Sequence, residues 1–230
     1  MIILVGVGHV FDISTQVRGI IMENSPVAVG LELDRNRLAG LLARDRGEEL
    51  PKQRGMLARF QERIAKDFGV EAGDEMLAGY KAAAEINAKL FVIDMDINRV
   101  MMRINSQLTL KEKLKMFGAL FATPFIRKKT VERELKRYEE QGEDYMEEIG
   151  KSMPTVKKVL IDERNEHMAK YLLAIEEKAG TVLALVGDGH VPGISKLIPH
   201  GNKKEIRLKD VKAWKPAQED GTRMSYTFNA

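Results

Sequence analysis

Leu185-Val186-Gly187-Asp188-Gly189-His190-Val191 decides how this chain is read, because Leu4-Val5-Gly6-Val7-Gly8-His9-Val10 repeats its plan near the start. Each is an apolar, β-branched run that stops at Gly-x-Gly-His. Such runs read as strands, and glycine at their ends marks a sharp turn or a close backbone approach. A histidine delivered by that turn emerges at the C-terminal edge of a parallel sheet, where open α/β folds place their sites. Two of the four histidines stand in this setting.

Working outward from β-runs of this kind gives an α/β chain. Residues 1–7 read as a central strand covered on both faces. A helix capped by Ser14 follows to about Glu23, with Val17, Ile20 and Ile21 inward, and Pro26 ends the turn. Residues 27–33 read as strand two, with Glu32 almost at its end. Asp34 caps the next helix, whose Leu38, Leu41 and Leu42 face inward. Strand, helix and strand in this length form a βαβ unit. Pro51 opens a helix with a Met56, Phe60, Ile64 and Phe68 stripe, closed by Gly69. The next runs from about Asp74 to Ala88 on Met76, Leu77, Tyr80 and Ala84. Residues 90–93 are a third strand leading into Asp94-Met95-Asp96. Asp96 reads as a helix cap, and Asp94 is left open between a cap and a carboxylate at the edge of a site.

Residues 105–153 differ in character and read as a helical insertion over the α/β core. Thr109-Leu110-Lys111-Glu112 fits a capping box, opening a helix with Leu110, Leu114, Phe117 and Phe121 apolar. Ten of the fourteen residues from Arg127 to Glu140 are charged with mixed signs, which describes a solvated helix. The apolar run 116–126, flanked by lysines and arginines, suits core packing or a contact between two copies better than a membrane surface. Pro154 opens a long helix to about Lys178 with Val156, Val159, Leu160, Met168, Leu172 and Ile175 apolar. Residues 181–186 form strand four, Pro192 starts a short helix, and residues 205–208 form a last strand. Residues 213–230 read as a loosely held tail.

Composition removes several function classes. At 230 residues the chain suits one domain spanning 1–230. It has no cysteine, which excludes disulfides and thiolate ligands or nucleophiles. A net charge of +3 gives no argument for nucleic acid. No secretory leader and no apolar run of membrane-spanning length is visible, so a soluble, cytoplasmic chain is expected. Gly-x-Gly after a strand also suggests phosphate binding, but Phe11 stands where the third glycine of a dinucleotide fingerprint belongs. Gly187, Gly189 and Gly193 have the wrong spacing as well. No nucleotide is expected.

What remains is a choice between a catalytic metal site and a hydrogen-bonded structural role for the two histidines. Three strand ends would bring His9, His190 and Glu32 to one edge. Two imidazoles, a carboxylate and an open position make a catalytic metal set, with an ion that activates water and polarises a carbonyl. Arg164, in Asp162-Glu163-Arg164-Asn165-Glu166-His167, would hold a carboxylate or an oxyanion if its helix runs beneath the strand ends. Gly8, Gly189 and Asp94 are candidates for contact with substrate. His167 reads as an exposed helical neighbour of Glu163, His200 as a helix-end residue, and Asp34, Arg35 and Arg37 as surface residues.

Taken in order, five motifs resemble the TraB/PrgY/GumN family, which includes the Tiki proteases, and its TraB branch above all. They are Gly6-Val7-Gly8-His9-Val10, Val29-Gly30-Leu31-Glu32-Leu33-Asp34 with Arg37, Asp94-Met95-Asp96, residues 160–168, and residues 186–194. The resemblance implies a fold like erythromycin esterase and ChaN: a mostly parallel sheet in two related halves, flanked by helices. It implies a site of His9, Glu32, Arg164 and His190 and a divalent ion, manganese or cobalt in preference to zinc. Metal-dependent peptidase activity follows from the Tiki likeness, and shutdown of peptide pheromones by cleavage or sequestration from TraB and PrgY. A peptide or other small substrate is the partner implied, with oligomerisation through 105–153 as a further expectation. The family's hydrophobic C-terminal segments have no counterpart here; membrane anchoring would belong to a longer form. Asn98-Arg99-Val100 also departs from the expected Thr-containing helix. A haem-binding variant finds neither a cysteine nor an evident axial tyrosine.

Overall fold

A computed structural model describes residues 1–8, 11–48, 73–115, 150–199 and 201–216, with isolated positions 133, 137, 147 and 148. Its centre is a five-stranded, all-parallel sheet in the order β3-β2-β4-β1-β5. The strands are β1 (Ile2–Val7), β2 (Ala28–Leu31), β3 (Lys89–Val92), β4 (Val182–Gly187) and β5 (Lys203–Ile206). The helices are α1 (Ser14–Asn24), α2 (Arg35–Asp45), α3 (Asp74–Glu85), α4 (Ile97–Gln107), α6 (Val191–Leu197) and α7 (Leu208–Ala213). Between α4 and α6 runs α5, made of Pro154–Lys157, a π-helical turn Lys158–Asp162, and Glu163–Ala179.

Alternation along the strands builds two cores. Ile3, Val5, Val7, Leu31, Leu183 and Leu185 face Val17, Ile20 and Ile21 of α1, Met76 and Ala82 of α3, and Val211 of α7. Ile2, Leu4, Ala184 and Val186 face Met168, Leu172 and Ile175 of α5 and Ile194 of α6. Both faces are therefore covered, which is why β1 and β4 are apolar at almost every position. Each large side chain buried this way contributes about 1.5–3 kcal/mol.

The two strands that end in Gly-x-Gly-His are neighbours, with Val7 opposite Gly187 and Gly6 opposite Val186. β4 also pairs with β2, Leu31 opposite Leu185, so it stands between β1 and β2. The first strand–helix–strand unit thus passes over a strand supplied 150 residues later, which no local pattern announces.

Several elements differ from expectation for identifiable reasons. Ser14 is the first residue of α1 and caps nothing; Ile13 is the cap position, without a side-chain bond. α3 buries Met76, Gly79, Ala82 and Ala83, while Ala84 is exposed. Gly79 lies so close to the sheet that a methyl group there would overlap Leu185. The inward face is chosen by close approach, not by the largest apolar residues. β5 is an edge strand rich in charge, Lys203-Lys204-Glu205, which hides its pattern. The expected strand at 205–208 is displaced because Leu208 begins α7, where the Arg207 N–H donates to Asp210 Oδ2 at 3.1 Å. Trp214, at the head of the expected tail, packs on Gly19 and donates from Nε1 to Glu23 Oε2 at 2.9 Å. The helix expected after Pro51 and most of 116–149 fall outside the described residues.

The capping box forms. Glu112 Oε2 accepts the Thr109 N–H at 3.0 Å, and Thr109 Oγ1 accepts the Glu112 N–H at 3.3 Å. Glu112 Oε1 also accepts the Thr155 N–H at 2.7 Å, docking this turn on the start of α5. Glu112 is buried, while the apolar Leu110 and Leu114 are 75% and 65% exposed. Burial pushes the Glu112 carboxyl up, but hydrogen bonds from Thr109 and Thr155 outweigh it and hold it at about 2 against an ordinary 4.5. A depressed carboxyl stabilises the fold above its unfolded pKa, and that stability is lost as pH falls toward its folded value. Glu112→Gln is therefore expected to unfold earlier than wild type at pH 5–7, with the gap closing between about pH 4.5 and 2. Denaturant midpoints measured across that range check this.

Candidate functional site

Parallel register brings four strand ends to one edge. Glu32 is the first residue after β2, and its N–H still donates to Leu185 O at 3.0 Å. Asp94 follows β3 by two residues, its N–H reaching Leu33 O at 3.3 Å. Gly187 closes β4 and the turn Asp188–His190 carries His190 back over the edge. Gly8 follows β1, packed against Phe11 and Leu208. His9 lies outside the described residues, as does His200.

Arg164 joins two of these strand ends. Its Nε donates to Asp94 Oδ1 at 2.9 Å and its Nη2 to Asp94 Oδ2 at 2.8 Å, a fork on one carboxylate. Nη2 also donates to Glu32 Oε1, and Nη1 donates to Leu160 O at 3.0 Å. The Asp94 side chain is wholly buried. Burial works against the Arg164 charge, but the Asp94 hydrogen bonds and the Glu32 charge reverse this and hold its pKa above the ordinary value. The π turn directly precedes it, with the Glu163 N–H reaching back five residues to Lys158 O. Such turns shift a helix's facing by one residue and recur at functional sites. Arg164 was expected to meet substrate. Its nitrogens instead hold the protein's own carboxylates and a carbonyl.

Arg37 and Asp34 are not the surface residues the sequence suggests. Asp34 is buried and caps α2, accepting the Asn36 and Arg37 N–H groups at 2.8 and 2.9 Å. Arg37 donates from Nε to Asp34 Oδ2 at 3.1 Å, and from Nη2 to Asp94 Oδ2 and to Glu32 O at 3.0 Å. Asp94 is thus held between two guanidiniums. Spacing gave one usable hint: an arginine three residues after a capping aspartate lies over the same helix end. Asp96 caps α4 through Asn98 N–H at 2.9 Å and Arg99 N–H at 3.1 Å, as expected.

His190 is buried and oriented by a residue the sequence reading passed over. Its Nδ1 donates to Asn165 Oδ1 at 2.6 Å. The Asn165 amide nitrogen lies against Gly193, where a methyl group would overlap it. The other ring nitrogen of His190, Nε2, lies 3.4 Å from Glu32 Oε1. Glu32 Oε2 accepts the Gly187 N–H at 2.6 Å. Asp188, in the same turn, is clasped by Arg207 at 2.9 and 2.7 Å and by the Leu208 N–H at 2.8 Å. Gly189 lies between these anchors, half-buried. His167 packs its ring against Tyr171 at 4.7 Å; burial lowers its pKa against the opposing pull of the Asp94 charge, and Glu163 pairs with Arg103 at 2.8 Å instead of with it.

Among the described residues no group of three or more His, Asp or Glu side chains is placed to hold a metal ion. Two donors do face each other. A separation of 3.4 Å is long for a hydrogen bond. It equals the ~3.4 Å expected between two atoms each ~2.1 Å from one tetrahedral ion. An imidazole nitrogen and a carboxylate oxygen are donor types that divalent ions take, and Glu32 Oε1 also accepts from Arg164 Nη2.

Residues 1–209 match the pattern of the TraB/PrgY/gumN family. The chain belongs to that family. It is similar to an uncharacterized protein of Methanocaldococcus jannaschii, 30% identical over 221 residues, covering 89% of this chain and 56% of that protein. This TraB/PrgY/gumN chain therefore spans about half the length of the curated relative it matches. Among solved structures it is similar to one reporting cofacial heme binding to ChaN of Campylobacter jejuni. That likeness has a TM-score of 0.39 and 13% identity, covering 90% of this chain and 80% of that one. Among the described residues, no helix is long and apolar enough to cross a membrane.

Proposed function

We propose that this TraB/PrgY/gumN member is a divalent-metal-dependent hydrolase acting on peptides. The observation that carries the reading is the facing pair of His190 Nε2 and Glu32 Oε1 at the sheet edge. His190 and Glu32 would hold the ion, with His9 as the third ligand expected from the sequence. Manganese or cobalt is preferred to zinc. The ion would supply an activated water and polarise the scissile carbonyl. The protein's own part is positional. Asn165 orients the His190 ring through Nδ1, so that Nε2 is the nitrogen turned to Glu32. Arg164 and the Gly187 N–H fix both oxygens of Glu32. Such outer partners set ligand orientation and basicity.

One observation favours a second reading, in which the site holds a peptide without cutting it. Both Glu32 oxygens already accept hydrogen bonds, from Arg164 and Gly187, which weakens Glu32 as a general base. Turnover separates the two. Wild-type protein stripped with chelator and reloaded with Mn²⁺ is incubated with a peptide library and analysed by mass spectrometry. Cuts that disappear with chelator and return with Mn²⁺ are expected. Peptide retention with no cuts under any metal would make sequestration the function.

A further inference from the structure

We propose that Arg37 selects the substrate, pairing its outward edge with the free chain-end carboxylate of a peptide; this rests on the peptide reading above. Two guanidiniums serve the buried carboxylates, and they are not equivalent. Arg164 has a side chain only 10% exposed, with every nitrogen bonded to the protein. Arg37 has a side chain 31% exposed. Its Nε and Nη2 are pinned by Asp34, Asp94 and the Glu32 carbonyl, and its Nη1 makes no hydrogen bond among the described residues. A guanidinium locked on three sides and open on the fourth is preorganised for one planar anion, and little rotamer entropy remains to be lost on binding.

The placement ties this edge to the reacting centre. Arg37 Nη2 lies 3.0 Å from the Glu32 carbonyl oxygen, and the same residue's carboxylate faces His190. A ligand carboxylate on Arg37 therefore lies about one to two residues, at ~3.5 Å each, from a carbonyl at the Glu32–His190 pair. The carboxylates around Arg37 are themselves engaged by the protein, Asp34 by the Arg37 Nε and the start of α2. Asp94 turns its oxygens inward to Arg164, Arg37 and the Met95 N–H, and Glu32 turns its own to Arg164 and Gly187.

Three forms of one peptide test this on the Mn²⁺-loaded chain: free acid, C-terminal amide, and amide with an internal glutamate. Wild type is expected to prefer the free acid by about ten-fold or more in kcat/KM, the scale of one charge-assisted hydrogen bond. Arg37→Gln should bring acid and amide within about two-fold, and Arg37→Lys should retain part of the preference. If Arg37→Gln fails to fold by circular dichroism, the wild-type ratio and the Arg37→Lys ratio decide. Equal cutting of acid and amide by wild type overturns the proposal and leaves the hydrolase reading standing. So does an internal glutamate that serves as well as the chain end. If no peptide is cut, the hydrolase reading fails and calorimetry with the same peptides decides this one. Acid-selective binding lost in Arg37→Gln supports it, and equal or absent binding of acid and amide overturns it.

Discussion

Arg164→Ala is expected to lose about 3–5 kcal/mol of folding stability, the usual cost of removing one partner from a buried ion cluster. For a chain of this size that is roughly 6–20 °C in Tm. The argument is one of desolvation. The Asp94 side chain is wholly buried and receives both Nε and Nη2, while Glu32 receives Nη2 as well. Without Arg164, Asp94 keeps Arg37 and the Met95 N–H, and Glu32 keeps the Gly187 N–H, but both sit in low dielectric with less than their charge balanced. Arg164→Lys keeps the charge and loses the fork, so it should fall between the two. Asp94→Asn combined with Arg164→Ala should cost less than the sum of the single changes, since the pair acts as a unit. Urea midpoints at pH 7 measure wild type, Arg164→Ala, Arg164→Lys, Asp94→Asn and the double variant. A loss below about 1 kcal/mol for Arg164→Ala would place the cluster among solvated surface pairs and remove its role as the frame of the site.

How much of this was legible in the chain follows a physical line. The strands were legible because both faces of β1 and β4 are covered, so burial writes itself as continuous apolar runs. Glu32, Asp94, Arg164 and His190 were legible because strand ends, and a helix crossing them, fix where a side chain emerges. Arg37 and Asp34 were misplaced at the surface because local sequence shows only a capped helix start. Their place in one ion cluster comes from Asp94, 57 residues after Arg37, which arrives beside them through the β2–β3 pairing. Asn165 was hidden for a similar reason: its partner, His190, is 25 residues on and meets it only after β4 inserts between β1 and β2. The inward face of α3 was legible only in Met76 and Tyr80, because a helix pressed on a sheet also buries glycine and alanine, which carry little hydrophobic signal.

Arg164 and Asn165 are adjacent on α5 yet separate two kinds of support, and the second is the more informative for chemistry. Asn165→Ala is expected to lower Mn²⁺ affinity or kcat/KM by about 10–100-fold, the range seen when the outer partner of a histidine ligand is removed. Asn165 Oδ1 is what holds the His190 proton on Nδ1. Without it the imidazole is free to place that proton on Nε2, which takes away the lone pair facing Glu32. Some stability is lost as well, about 1–3 kcal/mol for a buried donor left without its acceptor. That is smaller than the Arg164 effect, so the two residues should split: Arg164→Ala chiefly unfolds, and Asn165→Ala chiefly disables. Asn165→Asp restores an acceptor at the same place and should recover most of the affinity, whereas Asn165→Leu, with similar volume and no acceptor, should not. Mn²⁺ titration calorimetry on the three variants, each checked for fold by circular dichroism, reads this directly. Equal affinity in Asn165→Leu and wild type would mean that His190 Nε2 is not a ligand. The facing pair at the sheet edge would then be a structural contact rather than a reaction centre.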